Sequence, residues 1–214
     1  MNTDFRNADG RLVVDRMIAV IHENKSYLSE IDGAIGDGDH GINMDKGFSL
    51  VEERLAGKQV SMSDALKTLD RTLATEIGGS MEPLYGSLFR AMSKAAGDDE
   101  TIDVSTVEGM IDSGYEKVVE IGDAKVGDKT MIDTLHPARE AIRSARAEGK
   151  PLAEAVDEMI AAAEIGWRST KDMIARVGRS ARLGERSRGV LDAGATSCYL
   201  LLRAMGEAMK ELAH

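Results

Sequence analysis

IDGAIGDGDHGINMDKGFSLVEERL, residues 31–55, changes character half-way along. Its second half sets Met44, Phe48, Val51 and Leu55 at helical spacing, the apolar stripe of an amphipathic helix. Its first half, residues 31–43, is a glycine-rich loop holding Asp32, Asp37 and Asp39 within eight residues. Three carboxylates so close repel one another, and a compact fold gathers them at a cost unless cations offset the charge. Oxygen donors with no cysteine suit magnesium or calcium; magnesium takes one or two carboxylates and leaves the rest of its octahedron to water and phosphate oxygens. An EF-hand is excluded by spacing: counted from Asp32, Asp37 and Asp39 fall at positions 6 and 8, and Asn43 stands where glutamate is needed at 12. The plain alternative is a solvated acidic turn, since Gly and Asp are ordinary turn residues.

The helical period recurs on both sides of this stretch. Leu12, Val13, Met17, Val20 and Ile21 form one stripe, and Ala65, Leu66, Leu69 and Leu73 another behind a Ser63 cap. Leu84, Leu88 and Met92 follow Pro83 and end at Gly97, and Val107, Ile111 and Val118 lie between Ser105 and Gly122. Further helices are expected over Met131–Ala147, Pro151 to about Ile174, and Ala193–Leu212. Three prolines and 4% aromatic residues go with this pattern and disfavour a sheet. The expectation is an all-α, eight-helix antiparallel up-and-down barrel or bundle, a single domain over residues 1–214.

The connections at 31–43, 77–83, 122–130 and 178–194 are rich in Gly with Asp, Ser, Thr or Arg. They follow helices one, three, five and seven. In an up-and-down bundle, connections separated by an even number of helices emerge at the same end, so all four share one rim. The site is expected there.

Lys+Arg 27 against Asp+Glu 37 gives a formal charge of -10, which argues against a nucleic-acid or anionic-membrane surface as the main partner. Phosphate recognition in such a chain has to be local. Cys198 is the single cysteine, which fits a reducing compartment. With no apolar leader and no membrane-length apolar run, a cytoplasmic location is expected.

Several segments offer chemistry. Gly78-Gly79-Ser80 ahead of Pro83 is a glycine turn feeding a helix N-terminus, able to offer N–H groups to an anion, although such pairs are more often simple turns. GDAKVGDKT, residues 122–130, nearly spells a phosphate-binding P-loop, but Asp128 interrupts it and it follows a helix instead of a strand, so that reading fails. Met131 is suited either to a flat apolar ligand face or to the core. Arg176, Arg179, Arg182, Arg186 and Arg188 stand against one acid, Glu185, a cationic island fit for phosphate, for solvent or for an acidic partner. His40 is placed to bond a phosphate or orient a carboxylate, whereas His22 and His136 fall in helical stretches. No nucleophile–histidine–acid order or zinc spacing is present. What remains is phosphate held between metals and arginines.

IGDGDHGINM at 35–44 with Asp32 ahead of it, GGSMEPLYG at 78–86, GDKTMIDTLHPA at 127–138 and GRSARLGERSRGVLDAGA at 178–195 together resemble the L subunit of the dihydroxyacetone kinase family. The resemblance implies a barrel of eight antiparallel helices with ADP or ATP at one end. It implies that Asp32, Asp37 and Asp39 hold two magnesium ions bridging the phosphates. His40, Gly41, Asn43, Gly79, Ser80, Gly122, Met131, Arg179, Asp192 and Gly194 would line the nucleotide, Arg179 doubling as the catalytic residue. It further implies a partner K subunit that binds dihydroxyacetone or a related small ketose or tetrose, and either a phosphotransferase-system donor protein or exchange of free ATP. A nucleotide-loaded sensor docking on a transcription regulator is the alternative role. The chain departs from the family pattern at Glu82, where glycine is usual, and at Val190 and Ala193, where histidine and proline are common.

Overall fold

The computed structural model describes residues 4–76 and 81–213, leaving aside the side chains of Glu76, Met81 and Glu82. Within that range the chain forms α1 (Arg11–Ile35), α2 (His40–Leu55), α3 (Met62–Glu76), α4 (Met81–Ala96), α5 (Val104–Gly122), α6 (Ile132–Ala147), α7 (Leu152–Ser169) and α8 (Ala193–Leu212). Each helix packs on the next, and α8 closes the ring by packing on α1. This is the all-α antiparallel barrel expected from the periodicity. The stripe residues named above, from Val13 and Met17 to Met44, Phe48 and Leu55, are buried. Phe48 and Phe89 meet edge to face with centroids 6.5 Å apart, joining α2 to α4 in the core.

Two three-residue strands, β1 (Asp4–Arg6) and β2 (Thr101–Asp103), pair antiparallel with Phe5 opposite Ile102. They precede α1 and α5, so they cap the end of the barrel where those helices begin. The connections that follow α1, α5 and α7 are at the other end.

Helix boundaries differ from the sequence expectation where packing overrides local propensity. The loop expected at 31–43 shrinks to residues 36–39, because Leu28, Ile31 and Ile35 extend the buried stripe of α1 past Gly33. Asp32 therefore lies on the last turn of a helix. The cap of α3 is Ser61 instead of Ser63: the Asp64 N–H donates to Ser61 Oγ at 3.1 Å, while Ser63 is buried and bonded to Asn7. The helix expected to about Ile174 stops at Ser169 and gives way to a short 3₁₀ turn at Thr170–Asp172. Pro83 falls in the first turn of α4, where a missing N–H has no intrahelical partner to lose. Among the described residues no helix is long and apolar enough to cross a membrane.

Candidate functional site

The end of the barrel away from the strands opens into a cavity of about 390 Å³. Its wall is made where α1 meets α2, where α5 ends, where α6 and α8 begin, and by the segment between α7 and α8.

The α1–α2 corner supplies the acids. Asp32, Asp37 and Asp39 each offer a carboxylate oxygen within 4.8 Å of the others. The corner is tight because α1 and α2 cross with almost no space between them. A Cβ at Gly41 would collide with the Lys25 carbonyl and lie 2.7 Å from Ser29 Oγ. Gly38, at φ +79°, makes the reversal, and the His40 N–H donates to Asp32 at 3.2 Å.

Facing these acids is Arg179, whose guanidinium forms an ion pair with Asp37. Arg179 sits just ahead of two 3₁₀ turns within Ser180–Ser187 that are broken at Gly184, and its side chain is 63% exposed. One arginine is thus set against three carboxylates, and the corner keeps a net negative charge that an oxygen-seeking cation would neutralise.

His40 is buried at the start of α2, and its Nε2 is 2.8 Å from Ser197 Oγ. Ser197 is also 2.6 Å from the Tyr85 hydroxyl, so α2, α4 and α8 meet at one buried polar point. Burial pushes the His40 imidazole down to about 4, against the pull of Asp32, and the ring is neutral at pH 7. Burial also raises the Tyr85 phenol well above its ordinary value, so it stays protonated.

Asp192 caps α8, accepting from the Ala195 N–H at 2.8 Å. Burial pushes its carboxyl up to about 6; the Ala195 N–H and Lys129 oppose the shift, and Asp133 and Asp32 add to it. Asp133 organises the loop before α6, taking the Gly127 N–H on one oxygen at 2.5 Å and the Thr130 N–H on the other at 2.8 Å.

Of the residues expected at the site, Asp32, Asp37, Asp39, His40, Asn43, Gly122, Met131, Arg179, Asp192 and Gly194 line this one cavity. Gly41 does not; it lies beneath, at the helix crossing. Gly79 and Ser80 lie outside the described residues, as does the Glu82 side chain. Sequence reasoning missed Tyr85, Lys129, Asp133 and Ser197. The first three lie inside quoted motifs, and Ser197 lies two residues past one. His22 and His136 are elsewhere: His22 pairs with Asp45, and His136 lies against Tyr115.

Residues 34–207 match the DAK2 domain. The chain belongs to the DAK2 domain family. This DAK2 domain is 41% identical over 186 residues to the ADP-binding subunit DhaL of PEP-dependent dihydroxyacetone kinase 1 from Listeria innocua serovar 6a, covering 86% of this chain and 88% of that one. It is 35% identical to the ADP-binding subunit DhaL of the PEP-dependent dihydroxyacetone kinase of Escherichia coli (strain K12), covering 90% and 92% of the two chains. In fold it is similar to the dihydroxyacetone kinase of C. freundii solved in complex with AMP-PNP and Mg2+, at a TM-score of 0.68 and 24% identity. That alignment takes in 97% of this DAK2 domain but only 35% of the C. freundii chain.

Proposed function

We propose that this DAK2 domain is the ADP- and ATP-binding subunit of a two-component kinase that passes the terminal phosphate to dihydroxyacetone or a related small ketose or tetrose. The convergence of Asp32, Asp37 and Asp39 opposite Arg179 at the mouth of one cavity carries this reading. An all-oxygen donor set of net negative charge fits hard cations, so two magnesium ions are assigned to these three aspartates. When bound, they would neutralise phosphate charge and hold the phosphates in register. Arg179 is the proposed catalytic residue: released from Asp37, its fork is suited to bond the transferring phosphoryl group and stabilise its charge. His40, Asn43, Gly122, Met131, Asp192 and Gly194 are assigned to the rest of the nucleotide, with Gly79 and Ser80 on the same motif grounds. Gly41 is assigned a supporting part, as the residue that lets α2 start close to α1.

The two described lining groups whose chemistry could add to a ketose carbonyl are already engaged, His40 through Nε2 with Ser197 and Lys129 with backbone carbonyls, so the acceptor is assigned to a separate K-type subunit. Ile42, Ile121 and Val126, each exposed on segments at this end of the barrel, are assigned to the contact with that subunit. The names of the Listeria and Escherichia relatives favour PEP as the ultimate donor, and a phosphotransferase-system protein is the proposed carrier of its phosphate. No direct nucleic-acid or membrane partner is proposed, and the assigned location is the cytoplasm.

Thermal melts test the nucleotide site. Magnesium or ADP alone is expected to shift the melting temperature little, and both together to shift it strongly, because only the pair relieves charge on both sides. Equal stabilisation by ADP in EDTA would sink the metal bridge. The isolated chain is expected to phosphorylate no ketose from ATP until a K-type subunit is added. Pull-down of a DNA-binding regulator in place of that subunit would favour the sensor role.

A further inference from the structure

Lys129 is 1% exposed, yet it forms no ion pair among the described residues. Its ammonium donates to four backbone carbonyls: Thr170 at 2.8 Å, Met173 at 3.4 Å, Ser187 at 2.8 Å and Val190 at 2.5 Å. Thr170 and Met173 precede Arg176, the first of the segment's arginines, while Ser187 and Val190 flank Arg188, the last of them. The single charge therefore ties together both ends of a segment of nearly twenty residues. Its own backbone sits at φ +62°, a conformation costly for a side-chain-bearing residue and kept only where the surroundings enforce it.

The tie is reinforced beside it. The Gly189 N–H donates to the Lys171 carbonyl at 2.7 Å, the Ala175 N–H to Ser187 Oγ at 2.9 Å, and the Arg176 N–H to the Asp128 carbonyl at 3.1 Å. The result is a lasso with a closed neck. At the neck sit carbonyls and one ammonium; beyond it stand exposed Arg176 and Arg179, the latter over the acidic corner.

We propose that Lys129 is a positioning residue that closes this neck and thereby holds Arg179 over the phosphate site. The proposal rests on the nucleotide-binding reading given above. An ammonium suits the task because it satisfies several carbonyls at once in a space no water reaches, and a buried carbonyl left unpaired is costly. Without it, four acceptors would face a hole, and the segment would open to hydrate them.

The test uses Lys129→Met, which keeps the unbranched stem of the side chain and removes the ammonium at its end. Trypsin applied to the native protein reads the neck directly, since the segment contains Arg176, Arg179, Arg182, Arg186 and Arg188. Cleavage within it is expected to be at least roughly tenfold faster in the variant, with cleavage elsewhere unchanged, as for a local opening. Affinity for magnesium-ADP is expected to fall about tenfold, the scale of a lost charged hydrogen bond. In an Arg179→Ala background the same substitution should change that affinity less than about twofold, because the residue it acts through is gone.

A folded Lys129→Met protein cut at the wild-type rate overturns the proposal. So does an undiminished loss of affinity in the Arg179→Ala background. If Lys129→Met loses its helical signal, Ser187→Ala loosens the same neck with the lysine in place, and it too must speed cleavage in this segment. Wild-type protein that fails to bind magnesium-ADP would sink the functional reading while leaving the trypsin comparison standing.

Discussion

The two connections that face each other across the cavity are built by opposite means. The α1–α2 connection is four residues long and made locally: Asp32 is on the last turn of one helix, His40 is on the first turn of the next, and Gly38 turns the chain between them. The α7–α8 connection spans more than twenty residues and is held by contacts from elsewhere in the chain, above all by Lys129 from the loop before α6. One side of the site depends on which residues are adjacent in sequence, and the other on a buried charge more than forty residues away from the nearest carbonyl it holds. Acids are presented by the first and a cation by the second.

The largest effect on ligand affinity is expected from removing the local side. Asp37→Asn combined with Asp39→Asn takes two of the three carboxylates away without touching the helices. Magnesium-ADP affinity should fall on the order of 100-fold, about 2.7 kcal/mol. Calorimetric titration measures it, with circular dichroism to show that the barrel is intact. A loss smaller than about threefold would mean that the acids are a solvated turn and that the two sides of the cavity do not act together.

That contrast also explains what the sequence made legible. The barrel was readable because each helix carries its own apolar period, and the acidic corner because its carboxylates are neighbours along the chain. The rim shared by the connections after α1, α5 and α7 followed from helix parity; the connection expected at 77–83 lies largely outside the described residues. The end of α1 was misplaced because Gly33 reads as a break, and only burial of Ile31 and Ile35 against other helices carries the helix past it. Lys129 and Ser197 were invisible for a related reason. A lysine in a polar loop looks solvated, and a serine in an apolar helix looks incidental, until distant partners arrive: Thr170 and Ser187 for the first, His40 and Tyr85 for the second.

A second way to sharpen the comparison is through pH. Asp192 begins α8 on the long-range side, with a folded carboxyl at about 6 against an ordinary 3.8. Between those values the folded protein keeps a proton that the unfolded chain has released, so this group's contribution to stability declines as pH rises through the window. A shift of that size corresponds to about 3 kcal/mol at most. Asp192→Asn keeps a capping oxygen and removes the titration. Urea unfolding in EDTA should therefore find the variant more stable than wild type at pH 7 and no more stable at pH 4. Parallel stability profiles from pH 4 to 7 would refute the raised value.

Glycines divide the two sides in the same way. Gly41→Ala pushes a methyl into the Lys25 carbonyl and Ser29, and should destabilise the fold by about 1–3 kcal/mol while spreading the acidic corner. Gly178 precedes Arg179 at φ +74° with nothing within 4 Å of the Cβ position, so Gly178→Ala strains only the backbone, at about 1 kcal/mol. Chemical denaturation of the two variants ranks them. The reverse order would mean that the short connection has slack and the long one has none.

The smallest effect concerns the point where the two sides touch. Ser197, on the helix that follows the long connection, bonds His40, on the helix that follows the short one, and the Tyr85 hydroxyl closes the group. Tyr85→Phe removes one partner and leaves Ser197 still bonded to the Ala193 carbonyl, so nothing buried is stranded except a hydroxyl that keeps other contacts. The expected loss is about 1 kcal/mol of stability. If the group also sets the orientation of His40, the magnesium-ADP affinity of Ser197→Ala should fall further than that of Tyr85→Phe, and combining the two should cost less than their sum, because both act through one imidazole. Strict additivity would instead make Tyr85 a packing residue of α4, with the ring stacked on Phe89 as its contribution and the hydroxyl irrelevant to the site.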